Sequence, residues 1–126
     1  MAEQIEGETM EKLIIYQKPT CSTCRQVVKL AEASGQPYEA INYYETPLTK
    51  TRLTELLKKG GLTAKALLRT KEDIYKSKKD QISAMGEDDI IGLMIEHPYL
   101  MQRPLVERGK KVILARPPET LHEILS

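Results

Sequence analysis

With 126 residues, a formal net charge of +1, six Tyr and neither Phe nor Trp, the chain is long enough to bury one ordinary core of Leu, Ile, Val, Ala and Met without cross-links. The near-neutral balance gives no overall electrostatic footprint for nucleic acid, and no apolar run approaches membrane length. Residues 1–11 are acidic and lack a basic region followed by an apolar core. They read as a flexible leader rather than a secretory signal, with Met10 as an alternative start, ahead of a single domain over 12–126. The protein is expected in the cytoplasm, where its two cysteines point to catalysis or sensing rather than to a structural staple.

Leu13, Ile14, Ile15 and Tyr16 form an apolar run that reads as a strand. After Pro19 and Thr20 comes Cys21-Ser22-Thr23-Cys24-Arg25, at the head of an amphipathic stretch. A helix starting at Ser22 or Thr23 puts Cys21 at its N-cap, where free backbone N–H groups and the positive end of the helix dipole stabilise a thiolate. Cys24 lies one turn later on the same face and can reach the first sulfur to close a small disulfide ring. Two other readings compete. Zinc would need four ligands, and the remaining candidates, His97 and His122, are far apart in sequence. Inert buried cysteines would be out of place between a proline and a helix cap in a polar turn.

Val27, Leu30 and Ala31 continue the helical stripe, Gly35 offers a cap and Pro37 prevents continuation. Residues 38–44 predict a second strand, which a right-handed crossover would lay parallel to the first. Thr49 caps a helix that buries Leu53, Leu56 and Leu57 and ends at Gly60 and Gly61; Thr63 caps a short helix over 64–69. Residues 71–83 read as a charged connector with solvated lysines and at most one more helical turn. Glu87, Asp88 and Asp89 open a helix that turns Ile90, Ile91, Met94 and Ile95 inward and closes at His97 and Pro98, so His97 reads as a helix-end residue rather than a catalytic one. Leu105 to Glu107 and Lys111 to Leu114 predict an antiparallel hairpin turning on Gly109. A final helix starts at Pro117 or Pro118 and carries Leu121, Ile124 and Leu125 inward.

The order β-α-β, helical block, β-β-α, with CxxC at the end of the first strand, is the plan of the thioredoxin fold. The stretches YQKPTCSTCR at 16–25, ALLR at 66–69, HPYLMQRP at 97–104 and Arg116-Pro117, in that order and spacing, resemble the arsenate reductase family of the glutaredoxin-linked, thioredoxin-fold class over residues 13–126. Spx-type regulators, which bind RNA polymerase, are close relatives. The resemblance implies an α/β thioredoxin-like fold with a helical insertion between its halves, Cys21 as nucleophile, and Arg69, Arg103 and Arg116 as oxyanion-binding arginines. It also implies Pro104 as a cis-proline facing the cysteine, no bound cofactor or metal, and reduction by glutathione and glutaredoxin or by thioredoxin.

The chemistry fits those residue types. Arsenate is a multiply charged tetrahedral oxyanion, and planar guanidinium groups offer it permanent charge and paired donors. Cys21 would attack arsenic, water or hydroxide would leave, and a second thiol would attack the sulfur to release arsenite. Two departures from the family pattern stand out, Gln17 in place of a common histidine and Cys24 in place of a common serine. The first leaves the helix end, Lys18 and the arginines to stabilise the thiolate. The second supplies a candidate internal resolving thiol. The alternatives are a general thiol-disulfide oxidoreductase and a redox-sensing Spx-like regulator; neither would be expected to keep three arginines around the cysteine.

Overall fold

In the computed structural model, which describes residues 11–125, β1 (Leu13–Gln17) buries Leu13 and Ile15 completely, as its apolar run demands. Residues 1–10 of the expected leader lie outside the described residues. The chain divides into two compact units, one made of the residues up to Asn42 with those from Arg103 onward, the other of Tyr43–Gln102.

The first unit holds the sheet. β1 runs parallel to β2 (Tyr38–Asn42) and antiparallel to β3 (Leu105–Arg108), which pairs antiparallel with β4 (Lys111–Leu114), in the order β2-β1-β3-β4. The hairpin turns at Gly109, whose φ of 60° favours glycine. β2 stops two residues before the expected Tyr44 because its register with β1 ends at the Gln17–Asn42 pair. Beyond Gln17 the chain bends into the turn before the cysteines, so β2 has no partner there.

One face of the sheet carries α1 (Ser22–Ala33) and the C-terminal segment. Leu13, Ile15, Val27, Ala31, Val106, Ala115, Leu121 and Ile124 form a single buried cluster there, with Leu30 and Leu125 packed at its edge. The final helix begins at Pro118 as expected, but as a 3-10 turn (Pro118–Leu121) that runs into α7 (His122–Leu125). Its last carbonyls are not left to solvent: Arg108 Nη1 donates to the oxygens of Ile124 and Leu125, each at 3.0 Å, and Gln36 Nε2 donates to Leu125 O at 2.9 Å.

The second unit is the expected helical block. α2 (Lys50–Gly60) buries Leu53, Leu56 and Leu57 and ends on Gly61 in the left-handed conformation. α3 (Ala64–Leu67) is capped by Thr63 and, across the unit, by Glu87, whose Oε2 accepts the Ala64 N–H at 2.8 Å. It ends two residues before the expected Arg69, because Leu68 turns extended and bridges Met101, with Arg69 N–H donating to Leu100 O. Residues 71–83 hold two short helices, α4 (Asp73–Ser77) and α5 (Lys79–Ser83), where a single turn was expected.

α6 (Glu87–Glu96) starts on three acidic residues and ends at His97, as read. Its buried set includes Leu93 in place of the expected Ile95, which is half-buried. Both α2 and α3 pack against α6, so its covered face is broader than one stripe. Among the described residues no helix is long and apolar enough to cross a membrane.

The cap of α2 offers a clean test of the local rules. Thr49 Oγ1 accepts the Arg52 N–H at 3.0 Å. Thr49→Ala is expected to cost about 1 kcal/mol in urea unfolding. Thr51→Ala, at an exposed position inside the same helix, should be neutral or slightly stabilising.

Candidate active site at the first helix cap

The chain leaves β1 and folds back through a turn in which Cys21 N–H donates to Lys18 O at 3.0 Å. Cys21 itself is the N-cap, with φ −86° and ψ 122°, and its Sγ accepts the Cys24 N–H at 3.3 Å. Its carbonyl accepts the Arg25 N–H at 3.0 Å, the first bond inside α1. The cap geometry is therefore the one the sequence predicts, with sulfur in the place of a hydroxyl oxygen.

Opposing influences set the charge on that sulfur. Partial burial raises the Cys21 pKa, but hydrogen bonds from the Cys24 thiol and backbone N–H, together with a hydrogen bond and positive charge from Arg103, outweigh it and bring it below the usual thiol value. Cys24 is the opposite case. It is fully buried, and burial, aided by the neighbouring Cys21, pushes its thiol up to about 12 against a backbone hydrogen bond from Lys18 and the charge of Arg103. Both cysteines are free thiols. One is reachable and readily ionised; the other is enclosed and protonated.

Arg103 is half-buried and precedes a cis peptide bond to Pro104, which agrees with the isomer expected there. Arg116 is exposed, and its Nη1 donates to Arg103 O at 3.0 Å, so it braces the residue whose guanidinium reaches Cys21. The Arg116-Pro117 bond is also cis, which sequence reasoning did not anticipate; the Arg-Pro step shared with 103–104 was its only signal. Arg69 belongs to the Tyr43–Gln102 unit, where its Nη2 lies 3.4 Å from Glu72 Oε2 and its backbone is held by Leu100. The structure thus joins Cys21, Cys24 and Arg103 directly and Arg116 through Arg103.

Gln17, where the resemblance points to a histidine, is buried at the end of β1 opposite Asn42. His97 is the C-cap of α6, with Nδ1 3.1 Å from Tyr99 Oη. Among the described residues no group of three or more His, Cys, Asp or Glu side chains is placed to hold a metal ion.

Known proteins resemble this chain over most of its length. The family model of the ArsC family matches residues 16–124. The chain is 38% identical over 112 residues to the uncharacterised protein YfgD of Escherichia coli K12, covering 88% of this chain and 94% of that one. It is 35% identical over 116 residues to an arsenate reductase of Yersinia enterocolitica, covering 92% and 82%. The solved structure of an arsenate reductase from Vibrio cholerae superposes with a TM-score of 0.85 at 34% identity, over 91% of this chain and 98% of that one.

The contrast between the two thiols is measurable. Iodoacetamide is expected to alkylate Cys21 well before Cys24 between about pH 5 and 8, below the range in which an ordinary thiol ionises. Removing positive charge from beside a thiolate raises its pKa, so Arg103→Gln should move the alkylation midpoint of Cys21 to higher pH. Equal rates at both thiols, or an unmoved midpoint, would contradict this electrostatic assignment.

Proposed function

Because the chain belongs to the ArsC family and is an oxidoreductase of the arsenate-reductase kind, we propose that it reduces arsenate to arsenite with Cys21 as its nucleophile. The observation that carries this reading is the pairing of Cys21 with Arg103: an ionisable thiol at a helix N-terminus, with a guanidinium on the sulfur. Disulfide exchange alone needs only the first of these. An oxyanion substrate needs both, because its charge must be brought against a thiolate that would otherwise repel it.

In the first step the Cys21 thiolate attacks arsenic, and an arsenate oxygen leaves as water after taking up protons. Arg103 holds the oxyanion and offsets the charge that builds up in the transition state. Arg116, exposed and with one donor engaged by Arg103 O, presents its remaining N–H groups. The resemblance of the ALLR stretch to the family assigns Arg69 an oxyanion-binding role as well.

In the second step a thiolate attacks the Cys21 sulfur, the S–As bond breaks, and its electron pair stays on arsenic, which departs in the +3 state. The electrons come ultimately from a thiol reductant, glutathione with glutaredoxin or thioredoxin, and no bound cofactor takes part. Two free thiols suit a reducing compartment, the cytoplasm.

An arsenate reduction assay run with each donor in parallel tests the reading, and a lack of arsenite with both donors would end it. Arg103→Lys, Arg116→Lys and Arg69→Lys keep the charge but lose the planar two-point contact. Each should lower kcat/KM by about tenfold or more. Lys79→Ala, at an exposed position that opens a short helix, should leave it unchanged. The opposite pattern would move the anion site elsewhere.

A further inference from the structure

The site holds a second sulfur besides Cys21. Cys24 is completely buried, yet its N–H holds the Cys21 sulfur at 3.3 Å, one helical turn away. We propose that Cys24 is the resolving thiol, so that a single chain completes one reduction on its own two sulfurs and finishes as a Cys21–Cys24 disulfide. This rests on the reading of Cys21 given above.

Enclosure and proximity decide between Cys24 and a thiol from solution. The helix fixes both residues one turn apart, so attack within the chain has a high effective concentration that a free thiol does not match. Cys24 faces Cys21 and has no exposed surface through which it could serve an outside partner instead.

Its protonation is also tied to the state of Cys21. While Cys21 is a thiolate, its charge and hydrogen bond help keep the proton on Cys24. Bonding to arsenic takes the thiolate charge off the Cys21 sulfur, whereas the Lys18 N–H that favours a Cys24 thiolate stays in place. Formation of the adduct thereby readies the second nucleophile.

The step balances without a further reactant. The Cys24 S–H proton passes to an arsenic-bound oxygen, the Cys24–Cys21 S–S bond forms, and the Cys21–As bond breaks with its electron pair on arsenic. Two thiols lose two electrons in all and arsenic gains two. Resetting the disulfide then takes a reductant from outside, a protein dithiol of the thioredoxin class, which must attack Cys21 because Cys24 is enclosed.

The test uses the full chain, fully reduced and freed of reductant under anaerobic conditions, then mixed with arsenate. Wild type should release stoichiometric arsenite with no added thiol and lose the mass of two hydrogen atoms as Cys21 and Cys24 join. Cys24→Ser and Cys24→Ala should release none until glutathione and glutaredoxin are supplied, a result that also shows both variants folded. The inference is overturned if wild type yields no arsenite without added thiol, or if it turns over with glutathione and glutaredoxin through a glutathionylated Cys21 while Cys24 stays free; either leaves arsenate reduction itself standing. Failure of wild type with every donor removes the function and this inference together.

Discussion

The bond from the Cys24 N–H to the Cys21 sulfur is the constraint on which the site depends. It completes the first turn of α1 and stabilises the Cys21 thiolate, with the same donor. Thr49 and Thr63 cap their helices through oxygen and are inert. Sulfur is a poorer acceptor, so a cysteine at this position makes a weaker cap with a reactive atom. The helix does not rely on its cap for position: Val27 and Ala31 are fully buried against Leu13 and Ile15, and that packing keeps the N-terminus aimed at the sulfur.

The positive partner is positioned by a different part of the chain. Arg103 enters β3, and two bonds tie this entry to the exit of β4, Ala115 N–H to Pro104 O at 2.9 Å and Arg116 Nη1 to Arg103 O at 3.0 Å. The charge beside Cys21 is therefore as well placed as the hairpin is closed. At its far end the hairpin turns on Gly109, where a Cβ would come within 2.5 Å of the Glu11 carboxylate, and Arg108 beside it holds the end of α7. A substitution at the turn can reach the site only through the register of β3 and β4, a route open to strands and closed to isolated side chains.

What was legible in the sequence follows from how local each feature is. The strand, the turn at Pro19, the cap at Cys21 and the stripe of Val27 and Ala31 obey rules that span one or two turns, and they emerged as read. The capping glycine at position 61 and the acidic start of α6 did so for the same reason. The end of β2, the early end of α3 and the burial of Leu93 are set by pairing or packing partners distant in sequence: Gln17, Met101, and α2 with α3. No local pattern carries that information. At the site, Cys21 was visible from its cap, but Arg103 stood out only through its place beside Pro104 in the family stretch. The bracing of Arg103 by Arg116 is a contact between the two ends of a hairpin and could not be seen before the strands were paired.

A thiolate held in this way also favours the reduced form of the pair. The helix N–H and the guanidinium both act on a negative charge that the Cys21–Cys24 disulfide would lack, so the dithiol gains stabilisation that the disulfide does not share. The forces that lower the Cys21 pKa thus also make the oxidised site easy to return. The sequence of that return is uneven. Attack on Cys21 must expel Cys24, a buried thiol with a raised pKa and hence a reluctant leaving group, whereas release of the external partner expels Cys21, a ready one. An incoming monothiol has to hold its mixed disulfide against re-attack by Cys24 until a second molecule arrives. A dithiol partner carries its second sulfur with it and takes advantage at once of the easy departure of Cys21. On the proposed mechanism, the asymmetry between the two cysteines, set by one helix cap and one buried turn, therefore favours a dithiol reductant over a monothiol.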